Sequence, residues 1–75
     1  MMTGTDYVVT HSFYSSNGMS GIIDFFPGDH LFLLSQGDEP GWWRALLSRG
    51  SLRKSIFFFE RSDLATFVRP AVMSK

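Results

Sequence analysis

Turn signals recur at short, regular intervals along this chain, and that spacing constrains its fold more than any other feature. The clusters are Ser16-Asn17-Gly18, Pro27-Gly28-Asp29, the acidic stretch 36–41 (QGDEPG), Ser48-Arg49-Gly50-Ser51 and Arg61-Ser62-Asp63. Gly and Asn tolerate positive φ and Pro presets the φ of a turn, so each cluster has a physical reason to reverse the chain. The segments between them are 7–14, 21–26, 29–35, 42–48, 52–59 and 66–68. All are short and rich in aromatic and branched residues. Strands separated by turns every 8–12 residues, roughly, predict an all-β fold in a small barrel or sandwich. The best competing helix is WWRALLSR at 42–49, but Gly41 and Gly50 limit it to about two turns, which is marginal. A single 3₁₀ turn is expected within 62–66.

Seventy-five residues allow one domain, placed at 7–70, with 1–6 and 71–75 expected to fray. No disulfide supports it, because cysteine is absent. Stability must come from an efficient core, and twelve aromatic side chains can supply one. Strand alternation places Val9, Ile23, Phe25, Leu31, Leu33, Ala45 and Val68 on one inward face. The run Ile56-Phe57-Phe58-Phe59 is apolar at every position. It is either buried on both sides or exposes aromatic surface for binding or self-association.

Zero net charge conceals an asymmetry. Residues 1–40 carry five acids and no Lys or Arg, whereas residues 41–75 carry seven bases against two acids, so the halves are −5 and +5. Arg49, Arg53 and Lys54 gather on one predicted hairpin, which raises an anionic surface as a ligand. Overall neutrality argues against nucleic acid as the partner. No apolar run of about 18 residues is present, so no membrane span is expected. The polar N-terminus shows no secretory pattern, and with no cysteine an intracellular, cytoplasmic setting is the expectation. No cofactor is expected, and no metal: His11 and His30 lie nineteen positions apart without further convergent ligands. Gly18-Met19-Ser20-Gly21 lacks the spacing of a nucleophile elbow. A non-catalytic chain is expected.

The stretch IDFFPGDHLFLL, followed by DEPG and WWRA, resembles the Src-homology-3 (SH3) family. Ile23-Asp24-Phe25 stands for its Leu-Ser-Phe element and Phe26-Pro27-Gly28-Asp29 for its diverging turn. Residues 36–41 stand for the n-Src loop, and Trp42-Trp43-Arg44-Ala45 for the opening of the third strand. More loosely, Val9 to Phe13 resemble the opening "ALYDY" motif, 14–22 the RT loop, and Phe67-Val68-Arg69-Pro70 the closing "Tyr-Val-Ala-Pro". The resemblance implies a five-stranded SH3-type barrel of two packed antiparallel sheets. It also implies an aromatic groove for a proline-rich partner segment, acting in signalling or scaffold proteins.

Carried over residue by residue, the groove is His11, Phe13, Trp42 and Phe67, with Asp38 and Glu39 as its acids. Trp43 points to the opposite face as packing. Two departures stand out. Residues 14–22 contain no acid, and the proline before the 3₁₀ turn is replaced by Leu64 or, on another alignment, Phe58. A second reading keeps the fold but makes the contact intramolecular or dimeric through residues 56–59.

Overall fold

The computed structural model describes residues 1–18 and 21–71. Seven strands and one 3₁₀ turn follow in order: β1 (Asp6–Val9), β2 (Phe13–Ser16), β3 (Ile22–Phe25), β4 (His30–Gln36), β5 (Trp42–Arg49), β6 (Leu52–Phe59), the 3₁₀ turn (Leu64–Thr66) and β7 (Val68–Pro70). The all-β reading holds, and the 42–49 segment is a strand.

Two antiparallel sheets form. One has five strands in the order β6-β5-β4-β1-β7, and the other is the β2-β3 hairpin. Two antiparallel sheets are present as expected, and they do not close into a continuous barrel. The edge strands β6 and β7 do not pair, and the β2-β3 ladder joins neither. Side chains bridge the two sheets instead: the Ser15 hydroxyl donates to the Phe59 carbonyl, and Arg49 Nη2 donates to the Asp24 carbonyl at 3.2 Å. The segment 7–14, one strand by pattern, splits at Thr10. The Thr10 amide and hydroxyl both donate to the Phe67 carbonyl, at 2.7 and 2.9 Å, which turns the chain from one sheet into the other.

Six of the seven expected core residues are buried: Val9, Phe25, Leu31, Leu33, Ala45 and Val68. Ile23 is corrected to a partly buried position packed against that core. Trp43 is buried, as its inward register requires. Tyr7, Phe13, Leu47, Ile56, Phe58 and Leu64 complete the interior. Phe25 is stacked on Phe13 with ring centroids 4.7 Å apart and meets Phe58 edge-on at 5.7 Å.

The β5-β6 hairpin reverses at Gly50, whose φ of +58° lies in the left-handed region that glycine occupies at little cost. That turn fixes the register, placing Trp42 opposite Phe59, Trp43 opposite Phe58 and Arg44 opposite Phe57. Residues 56–59 therefore divide by face. Ile56 and Phe58 enter the core, while Phe57 and Phe59 stay on the outer face beside Trp42.

The first residues also bond to the sheet. Gly4 donates its amide to the Leu33 carbonyl at 2.8 Å, and the Met2 amide donates to the Tyr7 hydroxyl at 3.1 Å. Met19 and Ser20 of the 14–22 loop, and 72–75 of the expected frayed end, lie outside the described residues. Among the described residues no helix is long and apolar enough to cross a membrane.

Candidate functional site

Aromatic rings collect where the β5-β6 hairpin meets the two loops nearest it. Trp42 stacks on Phe57 with centroids 5.0 Å apart and planes 21° from parallel. Phe59 meets Trp42 edge-on at 5.4 Å. Glycine lets the loops close on these rings. A Cβ on Gly37 would lie 2.8 Å from Phe57 Cε1 and 3.0 Å from the Trp42 Cβ. One on Gly18 would lie 2.9 Å from Phe57 Cδ2. The Trp42 carbonyl accepts the Gly37 amide at 2.7 Å, tying the 37–41 loop to β5. Trp43, facing inward, donates its indole N–H to Glu60 at 2.7 Å.

The rings line a track of shallow depressions. One of about 300 Å³ is bordered by Gly18, Asp38, Glu39, Trp42 and Phe57. A second, of about 210 Å³, runs between Tyr14, Ile22, Phe59 and Arg61. A third, of about 300 Å³, shares Tyr14 and Arg61 with it and reaches Phe26 and Phe67. Arg61 forms the wall between the last two. Its guanidinium is 5.6 Å from the Tyr14 centroid and 5.4 Å from that of Phe67. It donates twice to Asp63, at 2.8 Å each, and once to the Tyr14 carbonyl at 2.7 Å.

The structure brings together only part of the set expected from the sequence. Trp42, Asp38 and Glu39 share one depression, and Phe67 borders another on the same track. Phe13 is 6% exposed and stacked between Phe25 and Phe67, and it borders the third depression beside Phe67. Leu64 is likewise a core residue, 2% exposed. His11 is exposed, with Nδ1 3.0 Å from the Thr10 hydroxyl, and borders none of these depressions. Tyr14, Phe57, Phe59 and Arg61 belong to the track although sequence reasoning did not assign them there. For the two Phe residues a signal was present: a tight turn at Gly50 and Ser51 pairs 42 with 59 by counting outward.

A clamp fixes the far end of the track. Asp29 is buried at the Pro27-Gly28-Asp29 turn and accepts from Arg49 Nε at 2.9 Å, Arg49 Nη2 at 2.8 Å and the Phe26 amide at 2.9 Å. Burial opposes its ionisation. The hydrogen bonds from Arg49 and Phe26, with the charge of Arg49, outweigh that and hold the carboxyl below its ordinary range. The same Arg49 lies 4.9 Å above the Phe26 ring.

Among the described residues no three His, Cys, Asp or Glu side chains converge on a metal position. Comparison with protein-family models, curated proteins and solved structures finds no match to this chain.

Proposed function

We propose that this chain is a non-catalytic protein–protein interaction module of SH3 type, binding a proline-rich segment of a partner along the aromatic track. The observation that carries the reading is the Trp42 and Phe57 stack, only partly buried and bordering one depression with Asp38 and Glu39. A polyproline II helix has three residues per turn, is preorganised and loses little entropy on docking. Flat rings accept its X-Pro ridges, and an indole N–H donates to its carbonyls.

In this reading Trp42, Phe57 and Phe59 receive one proline ridge, and Tyr14 and Phe67 the next. Asp38 and Glu39 supply the negative charge that 14–22 lacks. The strand order, the β2-β3 hairpin and the 3₁₀ turn before β7 support the SH3-type arrangement. The alternative of self-association through 56–59 has less surface to use, because Ile56 and Phe58 lie in the core.

The test is an NMR titration of the 75-residue chain with a proline-rich decapeptide. Shifts are expected at Tyr14, Phe57, Phe59, Phe67 and the Trp42 indole. Trp42→Ala should weaken binding at least tenfold while the amide spectrum stays dispersed, since Trp42 is only partly buried. Binding unchanged in that variant, or shifts confined to the opposite face, would remove the groove assignment.

A further inference from the structure

We propose that the Trp42 site continues into an anionic subsite. There Arg44 and Lys54 receive an acidic side chain, carboxylate or phosphate, carried by the proline-rich partner segment. This rests on the peptide-binding reading above and specifies the chemistry of the partner.

The subsite is a cleft of about 540 Å³ bordered by Asn17, Asp38, Arg44, Lys54, Ser55 and Phe57. It shares Asp38 and Phe57 with the Trp42 depression, so one extended ligand can occupy both. Among the described residues neither Arg44 nor Lys54 lies within 4 Å of a carboxylate. Arg49 and Arg61, by contrast, are committed to Asp29 and Asp63. Arg53 is turned onto the Gly50 and Leu52 carbonyls of its own hairpin. Two cations outside any ion pair therefore border one cleft with a single acid, Arg44 from the outer face and Lys54 from the β6 edge, in register with the inward Leu47.

Arg44 is also held in place. Its guanidinium sits 5.5 Å from the Phe57 centroid, and Phe57 is itself stacked on Trp42. A planar fork positioned over a ring suits a two-oxygen or three-oxygen anion. Ser55 and Asn17 add neutral donors. Arg44 lies two residues from Trp42 along β5, about 7 Å. A polyproline II helix rises about 3.1 Å per residue. The acidic residue is thus expected two or three positions from the proline seated on Trp42. The acids Asp38 and Glu39 and the cations Arg44 and Lys54 give the track a polarity that orients the ligand.

The test measures dissociation constants of the 75-residue chain for one proline-rich decapeptide. The peptide is flanked at either end by Asp-Asp, phosphoSer-phosphoSer, Ser-Ser or Lys-Lys, in about 0.01 M and in about 0.5 M salt, between which the Debye length falls from about 30 Å to about 4 Å. At one end, the Asp or phosphoSer flank should bind about threefold to tenfold more tightly than Ser-Ser, and the gain should vanish in high salt. A larger gain for phosphoSer than for Asp assigns the subsite to phosphate, and equal gains assign it to carboxylate.

Combining Arg44→Gln with Lys54→Gln should abolish the gain, and Lys54→Gln alone, which leaves the Phe57 ring and its Arg44 contact in place, should reduce the gain while keeping the affinity for the Ser-Ser peptide. Equal affinities for all flanks, preference for Lys-Lys, or a gain that survives in the double variant would overturn the subsite while leaving the groove intact. Failure of every peptide to bind would overturn the groove reading and the subsite with it. Phosphatidylserine vesicles that bind the wild type but not the double variant, with no effect of peptide flank, would assign the two cations to a lipid surface and overturn the proposal.

Discussion

Replacing Asp29 by Asn tests whether the Asp29–Arg49 clamp stabilises the fold through its charge. Asn keeps the shape and a carbonyl oxygen for the Phe26 amide, so the main change is loss of the carboxylate beneath Arg49. Two charge-assisted bonds, at 2.9 and 2.8 Å, are weakened. Hydrogen bonds to charged groups contribute about 1.5–3 kcal/mol each. Arg49 is 39% exposed and regains water in the variant, so the pair together is discounted to about 2 kcal/mol.

The assay is urea unfolding followed by tryptophan fluorescence. With a slope of about 1 kcal/mol/M for a domain of this size, the midpoint should fall by about 2 M at pH 7. The pH dependence supplies a second, independent reading. The folded carboxyl titrates below the ordinary value of 3.8. Its contribution is therefore complete above that value and is lost as pH falls through the folded one. The gap between wild type and variant should be constant from pH 7 to about 5 and close on further acidification. A variant within about 0.5 kcal/mol of wild type at pH 7, or a gap that does not narrow as the pH falls below 3.8, would refute the argument.

Two further substitutions separate core from surface. Phe13→Ala should cost about 3–5 kcal/mol in the same assay, because it empties a buried site between two stacked rings. A loss below about 1 kcal/mol would show that Phe13 does not hold the core together. Gly37→Ala should displace Phe57, since the new Cβ would stand 2.8 Å from its ring. The expected result is a stability loss of about 1–2 kcal/mol together with a changed Trp42 emission spectrum, and an unchanged spectrum would contradict the close approach.

Much of the fold was legible because turn chemistry and alternation act locally. β6 runs over the predicted 52–59, and β4 and β5 differ from prediction by one residue at their ends. What the pattern missed depends on contacts distant in the chain. The break between β1 and β2 is made by bonds from Thr10 to Phe67, fifty-seven residues away, and nothing near Thr10 announces it. The sheets stay open because pairing partners at the edges are a tertiary outcome.

The site was half legible for the same reason. The acidic turn and the paired Trp locate Trp42, Asp38 and Glu39. Alternation alone could not say whether Phe13 faces a ligand or Phe25, because both faces of a short strand between two sheets look apolar in sequence. Arg61 carried no signal at all: its place over Tyr14 and Phe67 comes from how the segment after β6 crosses the hairpin.

The central position of β1 has a consequence for how such a unit joins other structures. β1 lies between β4 and β7, with Val8 opposite Arg69, and the Ala71 amide donates to the Asp6 carbonyl at 2.8 Å. Entry and exit are therefore neighbours on adjacent antiparallel strands, about 4.8 Å apart. A unit with that geometry can be set into a surface loop of a larger architecture with almost no spacer, and several can be strung in series without any spanning its own length. The aromatic track, carried by β5, β6 and the β2-β3 hairpin, lies on other strands than the two that form this junction.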